Sequence, residues 1–451
     1  MEIQFTADPT RLVLSALFGL VLLLVLVIKG KFQPFVAILF SALAIGLCAG
    51  MPVQMITDTV IKGMGKTLES IALLVGIGSM FGAILEISGG AERVALSMMN
   101  KFGEKRAPWA LGITGMITAI PVFFDAGLII LIPLAFSIAK RAKKSVLFYV
   151  IPLLAGLAVG HAFIPPTPGP VLVAEILGVD LGLVIGMGLI CGTVAMICAG
   201  PIFGGFIGKR IDVSVPANYA EQPAFDESKL PSFGTVVAII MIPLVLILLN
   251  TASAVIPAMA PIAPVLQFLG TPFVALLLST IAAMFLLGLR HGFTMTELEK
   301  VMTKSLEPTG LILLVTAGGG VLRYMLQDSG LGDIIGNAVA ATPLPLVAVA
   351  FLIAIAVRIA IGSATVAMTM AAGIVAAMPA VAGLSPLYLA CMVMAIAGGA
   401  TAFSHVNDSG FWLVKSLCGL DEKTTFRTWT VMETVVGISG FAVALVISFF
   451  A

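Results

Sequence analysis

The chain alternates long apolar runs with short polar breaks. Windows of about 20 apolar residues, enough to cross a bilayer as helix, fall at 11–28, 33–50, 68–88, 108–139, 146–178, 183–207, 232–250, 264–289, 306–328, 345–383, 386–418 and 429–450. Several are too long for one simple crossing. Within 146–178 stands HAFIPPTPGP (161–170), with four prolines and a glycine inside an otherwise aliphatic segment. Proline removes a backbone donor and stops a helix, and irregular backbone at membrane depth survives only where it is buried in protein or lines a wet cavity. The pattern predicts an all-α polytopic membrane protein with broken transmembrane helices.

Lys and Arg set the orientation. KFGEKR (101–106) and KRAKK (140–144) are both basic, so the run between them enters and returns as a re-entrant hairpin. With 108–139 dipping in from the cytoplasm, 18 of the 24 Lys and Arg fall in cytoplasmic loops, and both termini lie outside. Ten crossings and two hairpins result. Residues 11–28 read as a retained first span rather than a signal peptide, since no basic leader or small-residue cleavage site precedes them.

A repeat underlies the pattern. KTLE (66–69) returns as KSLE (304–307), and AFIPPTPGPVLVAEILG (162–178) aligns with AFSHVNDSGFWLVKSLCG (402–419), at nearly one offset. Since 68–88 runs inward and 306–328 outward in this topology, the expectation is two inverted repeats, as in many secondary transporters. The predicted units are N-terminal spans (1–50), a first repeat (51–208) with hairpin 108–139 and broken helix 146–178, a cytoplasmic linker (209–231), two spans (232–289), and a second repeat (290–451) with hairpin 345–383 and broken helix 386–418.

Four irregular loops then converge, and polar side chains in such places are functional candidates. The first half supplies Asp125, His161, Thr167 and Gly169; the second supplies Arg358, Gly362, Ser363 and Thr365 at its hairpin tip, and Ser404, His405, Asn407, Asp408 and Ser409 at its break. Arg358 suits a carboxylate, or pairs with Asp125 or Asp408. Asp408, then His405 and His161, are the candidates for carrying a proton, although each also reads as a helix cap. Arg323, Lys415, Glu86, Glu175 and Glu433 read as snorkelling or interfacial. GMGKT (63–67) lacks the earlier glycine of a phosphate loop, with Val60 in its place.

Composition agrees with the pattern. The chain is 60% hydrophobic and 10% charged with net charge +1, against roughly 45–50% and about 25% in soluble domains. A nucleic-acid partner is therefore not expected. Five cysteines without metal spacing read as apolar fillers, and no cofactor or metal is expected. An intramembrane enzyme or a channel would not need mirrored broken loops.

SHVNDSGFW (404–412), TWTVMET (428–434) and the PPTPGP loop followed by EILGVDLG (175–182) resemble the gluconate permease family of the ion-transporter superfamily. The resemblance implies proton-coupled uptake of gluconate or a related sugar acid across a bacterial inner membrane. It also implies a homodimer in which a substrate-carrying unit moves against a scaffold. A sodium-coupled carboxylate carrier of the same superfamily is the alternative, because Ser, Asn and free carbonyls also suit sodium.

Overall fold

The computed structural model describes residues 8–216, 230–330, 344–406 and 408–451. Every regular element among them is helical. Asn407, and residues 217–229 of the expected linker, lie outside the described residues.

Two long helices, Val53–Ile87 and Met295–Asp328, pack along each other. Glycine permits their close approach: a Cβ on Gly63 would stand 2.7 Å from Val321 Cα, and one on Gly320 only 1.9 Å from Thr67 Oγ1. Both helices start well before the apolar windows at 68 and 306. The second is nucleated by a capping box, in which Glu297 N–H donates to Thr294 Oγ1 at 3.3 Å and Thr294 N–H donates to Glu297 Oε2 at 2.7 Å. Hydropathy registers only the apolar part of such a helix. Helix Pro34–Ala49 packs on Met295–Asp328, while Pro272–Ala283 packs on Val53–Ile87, so each half covers the long helix of the other. An amphipathic helix, Gly90–Phe102, follows the first long helix, where no element was expected.

The hairpins and breaks follow. Ala107–Ala119 and Phe124–Ala142 form the first hairpin; Leu147–Phe163 and Pro168–Leu177 are the halves of the first broken segment. Leu346–Ile361 and Ala364–Ala376 form the second hairpin, and Pro386–Thr401 and Ser409–Cys418 the second broken segment. In each half the hairpin's first arm packs on the following broken segment through glycine. A Cβ on Gly156 would stand 2.0 Å from Gly112 O, and one on Gly399 2.4 Å from Phe351 O. The order long helix, hairpin, broken segment, final helix thus occurs twice. One large apolar core joins hairpins, broken segments and final helices, and two smaller cores flank the long pair.

Ten full crossings were expected from the sequence. Among the described residues six helical stretches are long and apolar enough to span: Leu147–Leu177, Leu181–Ile207, Phe233–Ala254, Pro272–His291, Met295–Asp328 and Glu422–Ser448. Val53–Glu69 with Ala72–Ile87, bent by 42°, makes a seventh. Helix Pro34–Ala49 has 16 residues, about 24 Å at about 1.5 Å per residue, short of a hydrocarbon core of about 30 Å. Within 386–418 the helices Pro386–Thr401 and Ser409–Cys418 have 16 and 10 residues, so neither spans alone. The expected 264–289 span is split, with Ala263–Leu269 ending before Pro272 restarts the helix.

Candidate functional site

Helix Leu346–Ile361 ends at Gly362, whose φ of 86° turns the chain, and Ser363 caps the next helix by accepting the Val366 N–H at 3.5 Å. This two-residue tip leaves Arg358 in the last helical turn, where a cation complements the helix dipole. Arg358 is 2% exposed. Its Nη2 donates to Asp408 Oδ2, while Nε and Nη1 have no hydrogen-bond partner.

Asp408 opens the half-helix Ser409–Cys418, accepting the Gly410 N–H at 3.0 Å. It also accepts from Ser404 Oγ, which in turn accepts from Trp429 Nε1 at 2.7 Å. Trp429 belongs to a π-helical turn, Phe426–Thr430, that precedes the final helix, and its ring packs against Phe124 with centroids 5.4 Å apart. The loop is anchored once more by Phe403 N–H, which donates to Thr434 Oγ1 at 3.2 Å.

Arg358, Asp408 and Trp429 face a cavity of about 740 Å³ between the two halves. Of the residues singled out in the sequence, Asp125, His161, Arg358, Gly362, Ser363, Thr365, Asp408 and Ser409 line it. Asp125 comes from the first turn of Phe124–Ala142 and His161 from the last turn of Leu147–Phe163. His161 Nδ1 is buried without a partner. Ser79 on the first long helix donates to Ser305 O at 2.7 Å and accepts from Thr309 Oγ1 at 2.8 Å, closing the wall across the long pair.

Four predicted residues stand apart. Thr167 Oγ1 turns back to donate to Ile164 O at 2.7 Å and lines a small adjoining cavity of about 20 Å³ that shares His161. Gly169 packs under Met368, whose sulfur would lie 2.6 Å from an added Cβ. Ser404 is fully buried beneath Asp408. His405 Nε2 sits 3.0 Å from Ile359 O and ties the break to the hairpin. Side-chain direction in a loop is set by such local bonds, which sequence does not disclose.

Two residues placed at interfaces by the sequence reading line the cavity instead: Glu86, and Glu433 at 4% exposure with Oε1 lacking any partner. The signal for Glu433 was a single acid in the apolar run after TWTVM. Lys415 pairs with Glu422 at 2.8 Å, and Arg323 lines a separate cavity of about 530 Å³.

The arrangement suits an anion. The N-terminal turns of three helices, Phe124–Ala142, Ala364–Ala376 and Ser409–Cys418, border the cavity, and helix N-termini favour negative charge. Arg358, paired with Asp408, adds a positive charge, and its Nε and Nη1 are buried without a partner. Thr316, Ser363, Thr365, Thr401 and Ser409 supply hydroxyls around it.

Residues 11–450 match the GntP family permease family. The chain is 39% identical over 438 residues to the low-affinity gluconate transporter of Escherichia coli (strain K12), covering 96% of this chain and 98% of that one. It is 36% identical over 431 residues to the high-affinity gluconate transporter of the same strain, covering 95% and 98%. Identity to that strain's Gnt-II system L-idonate transporter is 35% over 431 residues, covering 95% and 97%. In fold the chain is similar to the Alcanivorax borkumensis YdaH transporter, with a TM-score of 0.64 at 15% identity over 88% of this chain and 89% of that one. Neisseria gonorrhoeae MtrF gives a TM-score of 0.64 at 16% identity over 87% and 83%. Broken segments meeting at an anion-attracting cavity, and identity extending over nearly the whole length, lead to one statement: the chain belongs to the GntP family of permeases.

Proposed function

We propose that this permease is a proton-coupled symporter that takes up gluconate or a related polyhydroxy monocarboxylate across a bacterial inner membrane. The observation that carries the reading is Arg358, buried at the cavity with Nε and Nη1 unengaged. One guanidinium shared with Asp408 matches one substrate carboxylate, and the surrounding hydroxyls match a polyol chain. A dicarboxylate would require a second cation, and among the described residues no other Lys or Arg lines this cavity. The gluconate and L-idonate transporters among the relatives support the same substrate class.

The halves are read as inverted repeats, from the doubled order of elements and the crossed packing of outer helices on the long pair. Hairpins and broken segments, sharing one core, form the unit that carries substrate against the long helices. Two copies assemble as a homodimer, which native mass spectrometry of the purified protein would register as twice the chain mass.

Uptake into proteoliposomes tests substrate and ion together. Labelled gluconate is expected to accumulate under an inward proton gradient, to collapse with a protonophore, and to persist when sodium is replaced. L-Idonate should compete better than succinate or citrate. Stronger competition by succinate or citrate would overturn the substrate class, and protonophore-resistant, sodium-dependent uptake would overturn the coupling ion.

A further inference from the structure

Four carboxyl groups border the central cavity, and their surroundings differ. Asp125 and Glu86 are exposed residues on its lining. Asp408 is ion-paired with Arg358 and accepts further from Ser404 Oγ and the Gly410 N–H. Glu433 is 4% exposed, and its Oε1 is sealed from solvent with no donor in reach.

A carboxylate buried without donors is costly, and binding a proton removes that cost. We propose that Glu433 is the group that binds the co-transported proton, and that it couples the proton to the substrate through Arg358. The proposal rests on the proton-symport reading above.

The coupling follows from what faces Glu433. Its charged neighbours are Arg358 on the second hairpin and Asp408 at the second break; Asp125, His161 and Glu86 complete the titratable groups around the cavity. Asp408 already occupies Nη2 of Arg358. Ionised Glu433 competes with the substrate carboxylate for the remaining field of that guanidinium. Protonated Glu433 adds no repulsion and leaves the field of the guanidinium to the substrate, so proton and anion each favour the doubly occupied state. One proton and one monoanion then cross with no net charge gained in the low-dielectric interior. When both leave on the inner side, the Glu433 carboxylate reforms and disfavours rebinding of the anion.

The discriminating measurement is gluconate binding to the purified protein across pH, by calorimetry in two buffers of different ionisation enthalpy. Linkage to one proton predicts uptake of about one proton per gluconate, and a Kd that rises about tenfold per pH unit on the alkaline side. Glu433→Gln should bind gluconate with no proton uptake and a flat pH profile. In proteoliposomes it should keep gluconate exchange and lose proton-driven accumulation. Glu433→Asp retains a carboxyl and should restore the pH dependence, which a purely structural role would not require. Proton uptake in Glu433→Gln equal to that of the wild type, or pH-independent binding in a folded Glu433→Asp protein, would overturn the assignment alone. Wild-type protein that binds gluconate without proton uptake would overturn the symport reading and this assignment with it.

Discussion

Arg358 is a full charge held at 2% exposure, and its tolerance depends on Asp408. Replacing one member of a buried ion pair strands the other, at about 3–5 kcal/mol. Asp408→Asn keeps the capping oxygen for Gly410 yet removes that counter-charge, so thermal stability, exchange and accumulation should fall together. Loss of accumulation with exchange intact would instead return the proton to Asp408, the first choice on sequence grounds. Arg358→Lys keeps the charge but loses the planar set of donors. With charged hydrogen bonds contributing about 1.5–3 kcal/mol, the Kd for gluconate at fixed pH should rise about 10- to 100-fold; an unchanged Kd would remove Arg358 from substrate binding. At this scale sequence disclosed residue type but not direction. Asp125, Arg358 and Asp408 were found because charge in an apolar run is conspicuous. Ser404 was expected at the cavity and turned out to lie beneath Asp408, whereas Glu433 was set at an interface and lies inside. The π-helical turn at Phe426–Thr430, immediately before the final helix, alters which face a later residue presents, and nothing in residue spacing announces it.

Hairpins and broken segments were legible because Pro and Gly punctuate them: Pro165 to Pro170 in one half, Gly362 and the NDSG stretch in the other. The polar starts of the long helices were not: Met295–Ser305 opens on a capping box rather than an apolar signature, and Val53–Thr67 mixes polar residues and glycines among its apolar ones. What holds the elements together is close approach at glycine. The first hairpin arm and helix Leu147–Phe163 meet where Gly156 faces Gly112 O and Gly115 faces Leu153 O. A valine at 156 has no space on that face, and overpacking of this kind costs about 1–3 kcal/mol or more. Gly156→Val should therefore lower the midpoint in a fluorescence-detected thermal scan and reduce folded yield. Gly186, with no atom near its added Cβ, is the control: Gly186→Ala should leave the midpoint unchanged. Equal effects at the two positions would mean that the glycine contact is not what aligns hairpin and broken segment.

Over the whole molecule, function requires that the cavity be reached from each side in turn, and an inverted repeat provides this if the two hairpins open to opposite faces. The doubled element order and the crossed covering of the long helices fit such a pseudo-twofold arrangement. In the proposed inverted topology the ends of the first hairpin, near Lys143 and Lys144, lie in the cytoplasm and those of the second, near Ala382, outside. Both Lys144 and Ala382 are exposed, so each can report its side without disturbing the core. The native thiols would confuse the readout, because Cys48 is exposed and Cys198 partly so. In a background with all five cysteines replaced, Lys144→Cys and Ala382→Cys should react with a membrane-impermeant maleimide from opposite sides of sealed vesicles. In right-side-out vesicles Ala382→Cys should label at once and Lys144→Cys only after permeabilisation, with the order reversed in inside-out vesicles. The sided result is independent of transport rate, so it separates architecture from mechanism. Labelling of both from one face would place the hairpins in parallel, and alternating access would then need a route other than exchange between two mirrored halves.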